Sequence, residues 1–381
     1  MQGLAACLSI KTVHIAILTF DAFNDLDSLV AFAMLNRIAL LGDAGWHVRI
    51  ASPTPRVTSM NGLTIDAHED LSRIGQADAV LVGSGMKTRE IAANPAIMGQ
   101  LRLDPARHLY LQEHALDERY VLPAAAALEI VAEAAAALWP GWKVTEVHEH
   151  RLMKGVELDA AGRALRVFLS PPPYGSSEGF EVSAQLQSEI APGRWLTHYR
   201  ATVRLEQVWP APAPMPRVHH GERTLSTAQA YGEWLFHGPR FQVITAFDGL
   251  SAQGAAAQVV STHPSRWLAH EAADGPGWVF DPALLDAAAQ MAWLWARAFR
   301  DESALPARFG RVVRYRDRLP ERLHMEYQRV AADDPTLVRG HVTFFDADGV
   351  PVLAVEELDS IASAALNRLG GTARTAEEPA S

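Results

Sequence analysis

The stretch "PAAAALEIVAEAAAAL" at residues 123–138 decides the fold of this chain. It is rich in alanine and carries little charge, so we expect a long helix that is covered by a sheet rather than by water. Short strand-like runs, separated by glycine, proline and serine, follow it. The same order recurs later, with a strand region near 241–262, a helix at 281–299 and further strands up to residue 363. The sequence therefore predicts an α+β fold in which one arrangement of a helix and a sheet occurs twice.

A helix wrapped by an antiparallel sheet is the hotdog arrangement, and its repetition predicts a double hotdog. We place the first hotdog at residues 111–208 and the second at residues 219–365. The proline-rich segment "WPAPAPMPRV" (209–218) between them predicts an extended linker. The small and polar residues 366–381 predict a disordered tail.

Composition restricts the kinds of protein that this chain can be. The 381 residues carry a net charge of −10, which argues against non-specific nucleic-acid binding, because such binding needs a basic surface. Cys7 is the one cysteine, which excludes disulfide frameworks and multi-thiolate metal sites. No apolar run reaches the ~20 residues of a membrane helix. The apolar stretch near the start fits a buried first strand better than a signal peptide, so we expect a cytoplasmic protein.

The front of the chain, residues 1–110, has a different pattern. Apolar strand-like runs at 12–20, 47–54 and 77–85 alternate with a helical pattern at 27–46. Such alternation predicts a parallel, doubly wound α/β sheet of the flavodoxin-like kind. We therefore expect a partial α/β segment to precede the double hotdog.

Several phrases of this front segment, among them "FDAFNDLDS", "ADAVLVGSGMKTREI" and "LDPARHL", resemble the ThiJ/PfpI superfamily and its isonitrile-hydratase-like branch over about residues 12–110. The resemblance implies a nucleophilic cysteine just past "ARHL", where this chain has none. We therefore expect a truncated, catalytically inert segment whose sheet has an exposed edge. Asp21 and Asp25 could correspond to the supporting carboxylate of that family, but we interpret them as turn and helix-cap residues.

Three motifs in the double hotdog carry chemistry. His114 precedes Pro123 by nine residues, "LFHGPRFQ" occupies 235–242, and "DPALLDAAAQ" occupies 281–290. In this order they resemble the HxxxGxxxxP, GPxF and DxxxQ/H motifs of dehydratase domains from polyketide and polyunsaturated fatty-acid synthases. The resemblance covers about residues 108–365.

The resemblance implies a reaction and a role for each motif. The chain would dehydrate 3-hydroxyacyl thioesters on an acyl carrier protein, with His114 as the base and Asp286 as the acid. The supporting residues would be Gln290, His237, Gly238, Pro239 and Pro123. The substrate would arrive on the phosphopantetheine of the carrier, and the enzyme itself would need no cofactor and no metal ion. The partners would be the carrier and other synthase components, with no nucleic acid and no membrane, and the resemblance allows a homodimer.

Elementary chemistry agrees with these residue types. A neutral imidazole, with an ordinary pKa of ~6.5, can accept the weakly acidic α-proton near neutral pH. The hydroxyl leaves as water only if it is protonated, so we expect the apolar residues around Asp286 to keep that carboxyl protonated. We expect backbone N–H groups at the start of the helix after Pro123 to polarise the thioester carbonyl.

Two residues depart from the motifs of the family. Glu118 stands where the histidine motif has glycine, so we expect a strained, positive φ there. If its carboxylate points into the pocket, it would also raise the pKa of His114. His237 stands where a tyrosine often precedes GPxF, and its ring N–H could still meet a substrate hydroxyl.

Other functions stay open at the level of sequence. A product-template-type cyclase uses a similar histidine–aspartate pair on the same fold, and a degenerate module would only bind acyl chains or partners. The arginines of "ARFGRVVRYRDRLPER" (307–322) could dock an acidic carrier protein or could simply face solvent.

Overall fold

The computed structural model describes residues 13–41, 45–85, 100–170, 179–191, 194–212, 223–269, 275 and 277–371. The chain falls into two compact units, residues 1–99 and residues 100–381, which we call the front unit and the double-hotdog unit. None of the helices in the described ranges is long and apolar enough to cross a membrane.

The front unit is built around a small parallel sheet. Its described elements are β1 (Val13–Leu18), a π-helical turn (Leu26–Val30), α1 (Ala31–Leu41), β2 (Trp46–Ser52), β3 (Arg56–Thr58), β4 (Thr64–Asp66), β5 (Glu69–Asp70), a 3₁₀ turn (Leu71–Gln76) and β6 (Ala79–Val82). The sheet has the strand order β5-β2-β1-β6 with parallel pairing throughout, and β3 and β4 form a separate antiparallel pair. Ile15, Ile17 and Val48 form its core, against which Phe32 and Leu35 of α1 pack.

Strand β6 is an edge of this sheet within the described residues, and all its side chains are exposed. A doubly wound sheet carries helices on both faces, whereas the described part of this unit holds one α-helix, so the flavodoxin-like and ThiJ/PfpI-like assignments stay predictions. Asp21 accepts a hydrogen bond from the Thr58 backbone N–H, and Asp25 accepts one from the Asn61 amide. Both brace turns, and Asp25 stands at the N-cap position of the π-helical turn without making a side-chain cap bond.

The described residues of the double-hotdog unit form one continuous sheet of eleven strands and a small sheet of three strands. Its strands are β7 (Gln100–Leu103), β8 (Ala115–Leu116), β9 (Arg119–Val121), β10 (Lys143–Leu152), β11 (Glu157–Leu158), β12 (Arg163–Leu169), β13 (Gly179–Ala191), β14 (Arg194–Glu206), β15 (Ile244–Ser251), β16 (Gly254–Val260), β17 (Ser303–Arg314), β18 (Arg322–Val330), β19 (Leu337–Phe345) and β20 (Pro351–Ser363). The long sheet has the order β15-β16-β18-β19-β20-β17-β10-β14-β13-β12-β7, and β11, β9 and β8 form the small sheet.

Each half of the long sheet wraps one helix, as the sequence predicts. Helix α2 (Ala124–Leu138) contacts β10 and β12–β14, and helix α3 (Pro282–Arg300) contacts β16–β20. The two helices also contact each other. Every α3 residue from Pro282 to Ala296 is buried, which explains why this helix can be apolar on all sides. Asp281 caps α3 by accepting a hydrogen bond from the Ala283 N–H at 3.0 Å.

The two hotdogs are joined edge to edge by antiparallel pairing of β10 with β17. Val147 lies opposite Val312 in this seam, and Arg311 of β17 bonds to Glu146 of β10 through two side-chain nitrogens at 2.9 and 2.7 Å. Arg308 of β17 likewise bonds to Glu149 of β10. Backbone pairing and charge pairs thus unite the halves in one sheet, and the predicted double hotdog is confirmed.

Two predicted boundaries need correction. Strand β7 pairs with β12, with Leu103 opposite Arg163, so the double-hotdog unit begins at residue 100 and not at 111. The tail does not begin at residue 366, because a 3₁₀ turn at Ala364–Leu369 packs back on the unit and the Gly371 N–H donates to the Leu235 carbonyl. Most of the predicted linker, and residues 372–381 of the predicted tail, lie outside the described residues.

Candidate active site

His114 is held at the base of a hairpin formed by β8 and β9. It follows a 3₁₀ turn at Leu109–Glu113, and its backbone carbonyl accepts a hydrogen bond from the Val121 N–H at 3.1 Å. Its ring Nδ1 lies 2.9 Å from the Val121 carbonyl oxygen. A carbonyl can only accept, so Nδ1 carries the hydrogen and Nε2 keeps its lone pair. The hairpin therefore presents His114 as a neutral base with one committed nitrogen and one free nitrogen.

The surroundings of His114 favour this neutral form. Its exposed fraction is 7%, and its ring packs against Phe236, Phe241 and His237 at centroid distances of 4.9, 5.4 and 5.6 Å. Burial lowers the pKa of His114 to about 4, and the opposing attraction of Asp286 does not reverse that shift. At neutral pH the imidazole can therefore accept a proton.

Asp286 lies on the second turn of α3, and its carboxylate is held by two side chains. Gln290 donates from Nε2 to Oδ2 at 2.8 Å, and His237 Nε2 lies 3.2 Å from the same oxygen. Gln290 is itself fixed, because it donates to the Phe241 carbonyl at 3.1 Å and accepts from the Tyr231 hydroxyl at 3.1 Å. The i, i+4 spacing of Asp286 and Gln290 puts both on one face of the helix, which is the physical meaning of the DxxxQ spacing.

The structure contradicts the expectation that an apolar environment keeps Asp286 protonated. Burial does raise its pKa, since the exposed fraction of Asp286 is 4%. However, His237 lowers the pKa of Asp286 through its charge and through a hydrogen bond, and His114 and Gln290 lower it further. Together they bring the pKa of Asp286 below its ordinary value. The lowered pKa favours the ionised form of the Asp286 carboxyl, which lies 3.2 Å from His237 Nε2.

The GPxF motif brings His237 to this site through the backbone. The Gly238 N–H donates to the Glu113 carbonyl at 2.9 Å, and Pro239 begins a 3₁₀ turn that ends at Phe241. Gly238 has a φ of −74°, so no positive φ requires glycine there. Gly238 and Pro239 thus dock the loop against the residue that precedes His114.

Glu113 is a functional residue that the motif analysis missed. Its Oε2 accepts from the Arg240 backbone N–H at 2.5 Å, and its Oε1 pairs with the Arg240 guanidinium. It therefore ties the stretch that holds the base to the loop that holds His237. The sequence does contain a sign of this ion pair, because a carboxylate stands directly before His114 and an arginine stands inside GPRF.

One pocket contains the four polar side chains of the motifs. It is lined by His114, Leu116, Val121, Leu122, Ala124, Leu152, Gly155, Tyr199, Phe236, His237, Asp286, Ala289, Gln290, Trp293, Ala304, Leu305 and Pro306. Pro123 does not line it, but as N-cap of α2 with a φ of −58° it starts the helix whose first residue, Ala124, does. The N-terminus of α2 therefore lies at the pocket wall, where its partial positive charge can act on a thioester carbonyl.

His114, His237 and Asp286 each place one polar atom within 4.8 Å of the other two. Two histidines and a carboxylate are residue types that bind transition metals. Here, however, Asp286 Oδ2 already bonds to Gln290 and to His237. We therefore interpret the set as a hydrogen-bonded acid–base group.

The turn of the β8–β9 hairpin confirms one expectation about Glu118 and contradicts another. Asp117 and Glu118 have φ values of 47° and 66°, which is the type I′ pattern that favours glycine at its second position. The Glu118 side chain is exposed and does not line the pocket. The backbone is thus strained as expected, but the carboxylate does not act on His114.

The arginines of residues 307–322 are largely committed to internal contacts. Arg308 pairs with Glu149, Glu357 and Asp359, Arg311 with Glu146 and Glu356, Arg316 with Asp346, and Arg314 donates to the carbonyls of Trp278 and Val279. These contacts hold the four side chains against the unit, and a docking role for the arginines stays a prediction.

Comparison with known proteins relates the double-hotdog unit to a family of known structure. Residues 86–185 match the family "Polyketide synthase dehydratase domain", and residues 210–369 match the family "Polyketide synthase dehydratase N-terminal domain". The double-hotdog unit is dehydratase-like. Neither family match extends to residues 13–85, so the front unit is not identified by them.

Individual relatives of the dehydratase-like unit include curated and solved proteins. One subunit of the polyunsaturated fatty acid synthase of Thraustochytrium sp. is 26% identical over 240 residues, which cover 62% of this chain and 8% of that protein. The dehydratase domain of PpsC from Mycobacterium tuberculosis is 26% identical with a TM-score of 0.52, over 69% of this chain and 92% of that one. The dehydratase domain from the CurJ module of the curacin polyketide synthase, 16% identical over 71% of this chain and 92% of that one, shares the fold with a TM-score of 0.54. These comparisons show that the double-hotdog unit is similar to polyketide synthase dehydratase domains.

Proposed function

We propose that this chain dehydrates 3-hydroxyacyl thioesters on an acyl carrier protein to trans-2-enoyl thioesters, within a polyketide or polyunsaturated fatty-acid synthase. The observation that carries the proposal is the meeting of His114 and Asp286 in one buried pocket, although they belong to different hotdogs. The chain spans about 8% of the curated synthase protein that it matches, so the carrier and the other synthase components are part of the proposal.

The reaction assigns one task to each side of the pocket. His114 Nε2 takes the α-proton, because Nδ1 is committed to Val121 and burial keeps the ring neutral. The helix dipole of α2 stabilises the negative charge that develops on the thioester oxygen. The β-hydroxyl leaves as water on the side of Asp286. A well-placed acid or base contributes ~10²–10⁴ in rate.

The substrate would enter as an acyl chain on phosphopantetheine, and the enzyme would use no cofactor of its own. The apolar side chains of Leu116, Leu152, Phe236 and Trp293 line the pocket and suit a hydrocarbon chain. Since Leu152 is partly exposed, a substrate can reach the pocket from the side of the unit on which Leu152 lies.

The deciding experiment is mass spectrometry of a 3-hydroxyacyl carrier protein incubated with this protein. Loss of one water from the acyl chain supports the proposal, whereas a cyclised product indicates the cyclase alternative and an unchanged acyl chain indicates a binding module. His114→Phe and Asp286→Asn should each abolish the loss of water. If either variant keeps wild-type turnover, the assignment of base and acid is wrong.

A further inference from the structure

His237 occupies the position in which the resembling motif has tyrosine, and it is a second titratable group beside Asp286. Its ring is buried and stacks on Phe236 at a centroid distance of 4.0 Å. Its Nε2 lies 3.2 Å from Asp286 Oδ2, and the ring lines the same pocket as His114. An imidazole can hold a second proton near neutral pH, which a tyrosine cannot.

The other ring nitrogen of His237 has no partner. Nδ1 is buried and makes no hydrogen bond to any described residue. An unsatisfied buried polar atom costs ~1–3 kcal/mol, so native proteins keep one mainly where a ligand or reaction uses it. Because His237 lines the pocket, this nitrogen is available to a substrate or to water, as is Nε2 of His114.

Asp286 must carry a proton to act as an acid, and few of the groups around it can supply one. From the β8–β9 hairpin it faces His114, which burial keeps neutral, and from the segment before the GPRF loop it senses Tyr231. From its own helix it faces the uncharged Gln290. A buried carboxylate without a partner is costly, and His237 is the group placed to neutralise it.

We propose that His237 and Asp286 share one proton and act together as the acid of this site, with His237 as its store and Asp286 as its donor to the leaving hydroxyl. This inference rests on the proposed dehydration. The contacts from Gln290 and His237 both reach Oδ2, so in this proposal the second carboxylate oxygen serves the substrate.

The proton balance of the step closes with these groups alone. His114 Nε2 forms a bond to the α-proton, and the electrons of that C–H bond become the new C=C bond. The C–O bond at the β-carbon breaks, and the oxygen takes the shared proton and leaves as water. His114 is then an imidazolium and the His237–Asp286 pair is one proton short. Transfer of the proton from His114 to the pair through water restores both.

Nitrogen NMR of the full-length protein, labelled with ¹⁵N-histidine, reports the shared proton without any turnover. The His237 signals are those that disappear in His237→Gln. We expect both ring nitrogens of His237 to be protonated at neutral pH in the wild type, and a neutral ring in Asp286→Asn. A neutral His237 ring in the wild type would overturn the proposal. His47→Gln, which alters an exposed histidine of β2, is the matched control and should leave the His237 signals unchanged.

Kinetics with a 3-hydroxyacyl N-acetylcysteamine thioester and with the carrier-bound substrate test the acid role. His237→Phe should lower kcat by ~10²-fold or more, with a smaller effect on KM. His237→Tyr should restore part of kcat but shift the basic limb of its pH profile, because Asp286 loses a cationic neighbour. If the pH profiles of kcat for His237→Tyr and for the wild type superimpose, His237 has a structural role only. If the wild type is inactive on both substrates, the proposed dehydration itself is wrong. If the wild type is active but its His237 ring is neutral, only the proposal of a shared proton is wrong.

Discussion

Glu113 and Arg240 form an ion pair that joins the two hotdogs directly beside the candidate base. Glu113 has an exposed fraction of 3%, and it accepts from both the backbone and the guanidinium of Arg240. The residue after Glu113 is His114, and the loop that contains Arg240 also carries His237. The pair therefore ties the segment that holds His114 to the loop that holds His237.

Removing the charge of Glu113 should weaken both stability and turnover. Glu113→Gln keeps the shape but leaves a half-buried guanidinium without its counter-ion, so we expect a loss of ~1–3 kcal/mol in the free energy of unfolding. Turnover should fall as well, because the loop of His237 loses its anchor. Chemical denaturation and the dehydration assay measure the two effects.

A surface pair in the same region provides the control for Glu113. Arg119 and Glu157 form an ion pair at 2.8 Å whose side chains are 69% and 55% exposed. Glu157→Gln should change stability by ~0.5 kcal/mol or less and should leave turnover intact. Equal effects from the two substitutions would show that Glu113 has no special positioning role.

The activity of the free enzyme should persist into acid. Burial lowers the pKa of His114 to about 4, so the acidic limb of kcat/KM should lie well below the ~6.5 of an ordinary histidine. The measurement is kcat/KM for dehydration across the acidic range. An acidic limb near the ordinary histidine value would contradict a buried, neutral base.

The same shift should make stability depend on pH. Between the unfolded pKa of ~6.5 and the folded value of about 4, the unfolded chain binds more protons at His114 than the folded chain does. Stability should therefore fall as the pH decreases through this window. His150, which burial also brings to a pKa of about 4, adds to the effect. His114→Phe should flatten this part of the stability curve, while His47→Gln should not.

Replacing Glu118 by glycine should stabilise the protein without changing its catalysis. Its φ of 66° strains a residue that has a Cβ, so Glu118→Gly should raise the free energy of unfolding by ~1 kcal/mol. The pH profile should stay the same, because the side chain is exposed and outside the pocket. Asp117→Gly is the comparison: aspartate tolerates the first position of this turn, and Asp117 pairs with Arg368. A larger gain from Asp117→Gly would show that the strain is not at Glu118.

Two truncations should separate the front unit from the double-hotdog unit. Deletion of residues 1–99 should leave dehydration unchanged, because none of the described residues that line the candidate site comes from them. Deletion of residues 1–106 also removes β7 and the fully buried Leu103, which bares the edge of β12. We expect that protein to melt at a lower temperature and to aggregate more readily. Equal melting temperatures for the two truncations would mean that β7 adds nothing to the sheet.

The sequence predicted most of the double hotdog because both helices have a strong signature. The apolar run from Pro282 and the alanine-rich run after Pro123 can only be helices inside a sheet, and the ordered motifs then paired His114 with Asp286. The boundary at residue 110 was wrong because β7 is a short strand whose partner, β12, lies 60 residues later in the chain (Arg163 opposite Leu103). Pairing at that separation leaves no local pattern.

The electrostatics of the site could not be predicted from local sequence. The residues next to Asp286 in α3 are apolar and indicate a protonated carboxyl, but the group that decides its charge, His237, comes from a loop 49 residues earlier (286 − 237). Glu113 was missed for the same reason, since its partner Arg240 is distant in sequence. Cytoplasmic location and a homodimer stay predictions.

The β10–β17 seam has a consequence for how this protein can change over generations. In a symmetric dimer of single hotdogs, both copies come from the same sequence, so every substitution appears in both. A residue that suits one of the two sites then also appears at the other site. Here one chain supplies both halves, so the half with His114 and the half with Asp286 accumulate substitutions independently. A substitution beside Asp286, such as one at His237, therefore need not be matched by a substitution in the hairpin that holds His114.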